Sequence, residues 1–293
     1  MKKQVRHLFN LAGLDISLAD RGKPRWSGIA DDYYPINVRP RWGHGQRPHA
    51  LIEQLLTPRL EDFKALLTDC LKYKGQFASI SHEQLSPIAP YWNNIWFSTL
   101  DAAAIIYFMM ALAPQTYLEI GSGLSTKFAR SAIVVGNLRT RLISVDPQPR
   151  NEIDSICDEV VRCPLENMDL STFDRLNARD ICFFDGTHRV FTNSDTTVFF
   201  LDVLPRLKRG VLVHVHDIYL PDDYPPEWNK RLYSEQYLLA AMMLGGMSRY
   251  RVVLPNYFVS TNPVTSPLVE QLGIPTRYPG TTKPGLSFWL EVL

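Results

Sequence analysis

The chain is expected to be an α/β protein built on a doubly wound, mostly parallel sheet of seven strands, behind a helical and irregular N-terminal extension. Three observations predict this. From residue 115 onward short apolar runs alternate with helix-like stretches, the pattern of a parallel sheet with helices on both faces. Three of the runs end in an acid, Asp146, Asp185 and Asp217, at the edge where such sheets place their ligand crevice. The first run ends in a turn carrying Gly121 and Gly123, after which Ser125 and Thr126 open a helix.

Residues 1–50 are rich in Arg, Gly, Pro and aromatics and show little periodicity, so they are expected to form an irregular arm. Trp26, Tyr33, Tyr34 and Trp42 suit an arm that covers the substrate side rather than completes the sheet. From 49 to 74 leucines recur at helical spacing and Pro58 breaks the pattern, which predicts two short helices. Residues 86–96 read as a polar-aromatic loop in which Trp92 and Trp96 either anchor the extension or cover a ligand. Residues 100–111 read as a buried helix.

The first strand spans 115–120 and its helix 127–135, and the second strand spans 141–146. A helix is expected at 151–158, then strands at 159–163 and 180–185. Asn193 or Ser194 caps an amphipathic helix that runs to about residue 206 and stops at Gly210. The fifth strand spans 211–215, and a Pro-rich loop leads to a helix at 235–244. Strands at 249–254 and 287–292 complete the seven.

Length and composition bound the function. The 293 residues, 45% hydrophobic and 21% charged, suffice for a large soluble core, and a net charge of +1 offers no electrostatic case for nucleic acid or an anionic membrane. Residues 102–113, the longest apolar run, are about half a membrane span, and the basic start lacks a secretory apolar core. Cys70, Cys157, Cys163 and Cys182 show neither Cys-x-x-Cys nor zinc spacing, as expected of free thiols in a reducing compartment. These features predict a cytoplasmic protein.

The glycine turn carries the chemistry. Two glycines let the backbone bend and approach a ligand, and the free amides of the helix start attract polar groups. Thr126 stands where the dinucleotide fingerprint wants a third small residue, and Glu119 beside the turn would repel a pyrophosphate while suiting a cationic amino end. Here the chain resembles the class I S-adenosylmethionine-dependent methyltransferases, whose first motif is an acid followed by Gly-x-Gly. Phe184-Asp185-Gly186-Thr187-His188, His214-Val215-His216-Asp217 and Ser287-Phe288-Trp289-Leu290 widen the likeness to a bacterial small-molecule methyltransferase branch, over residues 90–293.

The resemblance implies a Rossmann-like fold, S-adenosylmethionine as cofactor and a small-molecule acceptor. It divides the chain into a 1–90 extension with a helical cap and a 91–293 donor-binding domain. It places Glu119, Gly121, Ser122, Gly123, Asp146, Glu166 and Asp185 at the donor, with Asp146 on the ribose. Methyl transfer to a hydroxyl of a sugar or other secondary-metabolite acceptor also needs a base. His216, oriented by Asp217, and His188 are the expected catalytic residues, whereas His214 lies two residues deeper on its strand and is expected in the core. A divalent metal on Asp185, His216 and Asp217 is the less favoured alternative. A nicotinamide-dependent oxidoreductase and a non-catalytic adenosine-binding module are the rival classes. Tyr224, Trp228, Tyr233 and Tyr237 are expected beside the acceptor, and a homodimer is left open.

Overall fold

In a computed structural model the described residues are 38–274 and 284–293. The expectations for Trp26, Tyr33 and Tyr34 lie outside them. Residues 39–293 group as one unit, so the helices before residue 90 belong to the same unit as the sheet.

Among the described residues three short helices come first, α1 (Ala50–Leu56), α2 (Leu60–Cys70) and α3 (Lys74–Ala78), separated by tight turns. They bury Ile52, Leu56, Phe63, Leu67 and Phe77 in the main core. The next helix, α4 (Thr99–Leu112), starts where the Ser98 hydroxyl accepts the Asp101 N–H and stops at left-handed Ala113. It is apolar almost all round because it is buried almost all round.

Asp101 is its exception, a fully buried carboxylate. It accepts from the Asn256 amide at 2.7 Å and from the backbone N–H groups of Leu286 at 2.9 Å and Ser287 at 2.7 Å. Those bonds satisfy the charge and pin the approach to the last strand onto α4.

The sheet is seven-stranded, in the order β3-β2-β1-β4-β5-β7-β6. Its strands are β1 (Thr116–Ile120), β2 (Arg141–Val145), β3 (Glu159–Val161), β4 (Ile181–Phe184), β5 (Leu212–Val215), β6 (Tyr250–Pro255) and β7 (Phe288–Val292). Neighbours from β3 to β5 pair in parallel, and β7 runs antiparallel between β5 and β6. Strand β4 is Ile-Cys-Phe-Phe with every residue buried, as befits a central strand covered on both faces.

Helix α5 (Leu124–Val135) starts three residues earlier than the sequence pattern places it. The Thr126 hydroxyl accepts the Gly123 N–H at 2.9 Å and so extends the helix back to the glycine turn. The helix expected at 151–158 is only a 3₁₀ turn, Asp154–Ile156. Ile153 alone in that stretch is fully buried, so the segment has no apolar face with which to dock a helix.

The helix expected from Ser194 begins as α6 (Asp195–Val198), widens to a π turn at Phe199–Val203 and tightens to 3₁₀ at Leu204–Arg206, where Pro205 cannot donate. Then α7 (Glu235–Leu244) covers the far side of the loop after β5. Two further short helices, α8 (Asn256–Thr261) and α9 (Ser266–Gln271), follow β6.

Candidate active site

The site is built where β1, β2, β4 and β5 end together. Gly121 bends the chain with φ +79°, and a side chain there would begin 1.7 Å from the Asp185 carbonyl oxygen, so only glycine lets these two strand ends meet. Asp146 closes the turn from β2. One of its oxygens accepts the Ser122 N–H at 2.9 Å and the other the Gln148 N–H at 2.7 Å. The Ser122 and Ser144 hydroxyls bond beneath it at 2.7 Å. Gly121, Ser122 and Gly123 thus form one rim with the sequence-distant Asp146.

Glu119, at the end of β1, is held by the first turn of α5. It is fully buried, one carboxylate oxygen accepts the Ser125 hydroxyl and the other the Thr126 hydroxyl at 2.6 Å. Burial pushes its pKa up to about 8 against those two bonds, so at neutral pH it is mostly uncharged. Glu119 ties the end of β1 to the first turn of α5 and so braces the glycine turn.

The acids and histidines after β4 and β5 do converge. His188 lies in a left-handed conformation at φ 63° and Asp217 at φ 55°, strained placements of about 1–3 kcal/mol each that the surrounding packing must hold. His188 Nε2 stands 3.1 Å from Asp185 and 3.6 Å from Asp217. Its Nδ1 is 2.5 Å from Glu235, the fully buried first residue of α7. Burial works to lower the His188 pKa, yet Glu235, Asp185 and Asp217 together raise it well above the ordinary range. His188 thus sits among three carboxyl groups that favour its charged form.

His216 faces the same cluster from the end of β5. Its Nε2 is 3.6 Å from Asp217, its Nδ1 is buried without a hydrogen-bond partner, and the Phe97 ring stacks on it at 5.0 Å. Burial lowers its pKa, but Asp185 and Asp217 outweigh burial and hold it above the usual value. Asp185 is held low, burial being overcome by His216 and His188, while burial dominates at Asp217 and raises it. Among the described residues no group of three or more His, Cys, Asp or Glu side chains is arranged as metal ligands.

His214 is a core residue, fully buried, stacked at 3.7 Å on Phe183 and bonded through Nε2 to the Ser287 hydroxyl at 2.7 Å. Glu166 stands half-buried on the turn after β3. Trp92 is an anchor, buried with its indole N–H on the Phe77 carbonyl, whereas Trp96 is 63% exposed under the Arg150 guanidinium.

Tyr219, Tyr224 and Tyr257 form a separate cluster with Trp228 and Tyr233 beyond β5. Tyr233 stacks on His188 at 4.3 Å and so joins that cluster to the imidazolium. Tyr237 bonds to Asp223 at 3.0 Å.

Sequence reasoning missed two groups, Glu235 and Lys127. A glutamate that opens a helix reads as an ordinary first-turn acid, and a lysine within a helix reads as solvated. Neither carries a signal until the fold is known.

Residues 118–218 match the family model of a methyltransferase domain. Among solved structures the chain is similar to the SAH-bound methyltransferase PaMTH1 of Podospora anserina, at 13% identity over 78% of this chain and 88% of that one, with a TM-score of 0.40. It is also similar to an O-methyltransferase of Bacillus cereus in complex with SAH, at 15% identity over 83% of this chain and 97% of that one, with a TM-score of 0.39. Likenesses at these scores add nothing to the family match. No curated protein matches the chain.

Proposed function

We propose, from the premise that residues 118–218 are a methyltransferase domain, that the chain moves a methyl group from S-adenosylmethionine to a hydroxyl of a small molecule, a sugar or another secondary-metabolite acceptor. The observation that carries the donor reading is the 2.9 Å bond from the Ser122 N–H to Asp146, which sets an acid beside a glycine turn at the edge of a parallel sheet. Each Asp146 oxygen accepts one backbone N–H and keeps acceptor capacity for a ribose hydroxyl. Gly121 and Gly123 carry no side chain into the rim, Asp185 lies next to it, and Glu166 sits on the β3 side, where an adenosine would lie.

When bound, the donor supplies a methyl group on a sulfonium, ready for in-line displacement, and the protein has to align the acceptor and take its proton. His216 is the base. Its uncharged form accepts the proton, and Asp185 and Asp217 beside it stabilise the imidazolium that results. Asp217 also orients the ring, and Glu235 fixes His188 as the cation that separates Asp185 from Asp217. His188 Nε2 occupies the space between those carboxylates that a bridging metal would need, which favours the metal-free base.

Trp228 and Tyr233, the partly exposed rings packed on the buried Tyr219, Tyr224 and Tyr257, are the ones on which a sugar or aromatic acceptor can stack. Calorimetry of the protein with S-adenosylhomocysteine and with NAD tests the donor. Binding of the first alone is expected, and binding of NAD alone would establish the oxidoreductase reading instead.

A further inference from the structure

Lys127 is 1% exposed in the first turns of α5. Its ammonium has three N–H donors, and its hydrogen-bond partner among the described residues is the neutral Asn151 side chain, with Nζ 3.0 Å from Oδ1. No carboxylate among the described residues lies within ion-pair distance of it. Glu152 is exposed and acts only from a distance, and both oxygens of Glu119 are taken by Ser125 and Thr126. A buried cation without a counter-ion is costly, and burial accordingly pulls this lysine's pKa down. Such a group calls for an anion that arrives with a ligand.

The amide of Asn151 shows where that anion would enter. Its oxygen holds Lys127, and its nitrogen lies 3.4 Å from the point where a side chain on Gly123 would begin. One side chain therefore links the buried ammonium to the glycine rim. Arg150, the neighbouring cation, lies over the Trp96 ring at 5.4 Å. Resting on the donor reading above, we propose that Lys127 recognises the carboxylate of the donor's amino-acid tail and makes the site select donors that carry one. Asn151 positions Lys127 for this contact.

Calorimetry on the full chain tests the proposal with two probes, S-adenosylhomocysteine and its decarboxylated analogue, which differ by that one group. Wild type is expected to favour S-adenosylhomocysteine by about 10- to 100-fold, the worth of a charge-assisted hydrogen bond. Lys127→Met is expected to abolish the preference by weakening S-adenosylhomocysteine alone, with the decarboxylated analogue unchanged within about twofold, and Lys127→Arg to restore part of it. Equal weakening of both probes in Lys127→Met would show a structural lysine and overturn the proposal. Equal affinity of wild type for the two probes would also overturn it, with no variant needed. Wild type that binds neither probe would remove the donor reading itself.

Discussion

His216 is closed in by the Phe97 ring and by Asp217, and the buried, unpartnered Nδ1 gives the ring spare proton-accepting capacity. With an acceptor identified from a panel of hydroxylated compounds, His216→Ala is expected to lower turnover by about 10²–10⁴-fold while S-adenosylhomocysteine affinity stays near wild type. Because the base must be uncharged and its neighbours hold its pKa above the ordinary imidazole value, the rate should rise with pH through and beyond the usual histidine range. A rate that falls with pH there would remove His216 from the role. Asp146→Ala is expected to weaken S-adenosylhomocysteine binding by about 10- to 150-fold, or roughly 1.5–3 kcal/mol, and unchanged affinity in a folded variant would displace the ribose. Asp146, Asp185, His216 and Asp217 were legible in the sequence because each closes an apolar strand. The state of Glu119 and His188 was not, since a pKa is set by what lies within a few ångströms in space.

At the scale of elements, the segment before α1 is tied to the loop after β5. The Asp223 carboxylate accepts the Arg41 N–H at 2.6 Å and the Trp42 N–H at 3.1 Å, and the Asp223 carbonyl bonds His44 at 2.8 Å. Asp223→Ala removes an acceptor from two backbone donors, a loss of about 1–3 kcal/mol held locally. Limited proteolysis should then cut residues 39–48 faster, while S-adenosylhomocysteine affinity is unaffected. Protection equal to wild type would show that other contacts hold the strap. Strands β1, β2, β4 and β5 and helices α4 and α7 follow directly from the apolar pattern, because covered parallel strands and buried helices must be apolar throughout. The 3₁₀ turn at 154–156 and the widened helix at 199–203 do not, because they depend on what surrounds them rather than on their own residues.

For the molecule as a whole, Glu119 links the donor turn to stability. Its folded pKa, about 8, lies above the ordinary glutamate value, so between about pH 4.5 and 8 the folded state binds the proton and the unfolded state has lost it. Stability therefore falls as pH rises through that window, by on the order of 4 kcal/mol from this group. Glu119→Gln keeps the shape without the proton, and urea unfolding at pH 5 and pH 8 should show a flatter pH dependence than wild type. An unchanged slope would mean that Glu119 is ionised in the folded protein. The antiparallel placement of β7 was hidden in the sequence, since alternation alone does not say which neighbours a strand will choose. Its place between β5 and β6 means that a strand made after β6 must enter between two strands already made. Strand β6 is translated more than thirty residues before β7 and has no partner in the sheet until β7 arrives, and Asp101 waits far longer for the N–H groups of Leu286 and Ser287. A nascent chain stopped short of residue 285 would thus carry an unpaired strand edge and a buried carboxylate left with the Asn256 amide alone of its three partners, features that invite mispairing before synthesis is complete.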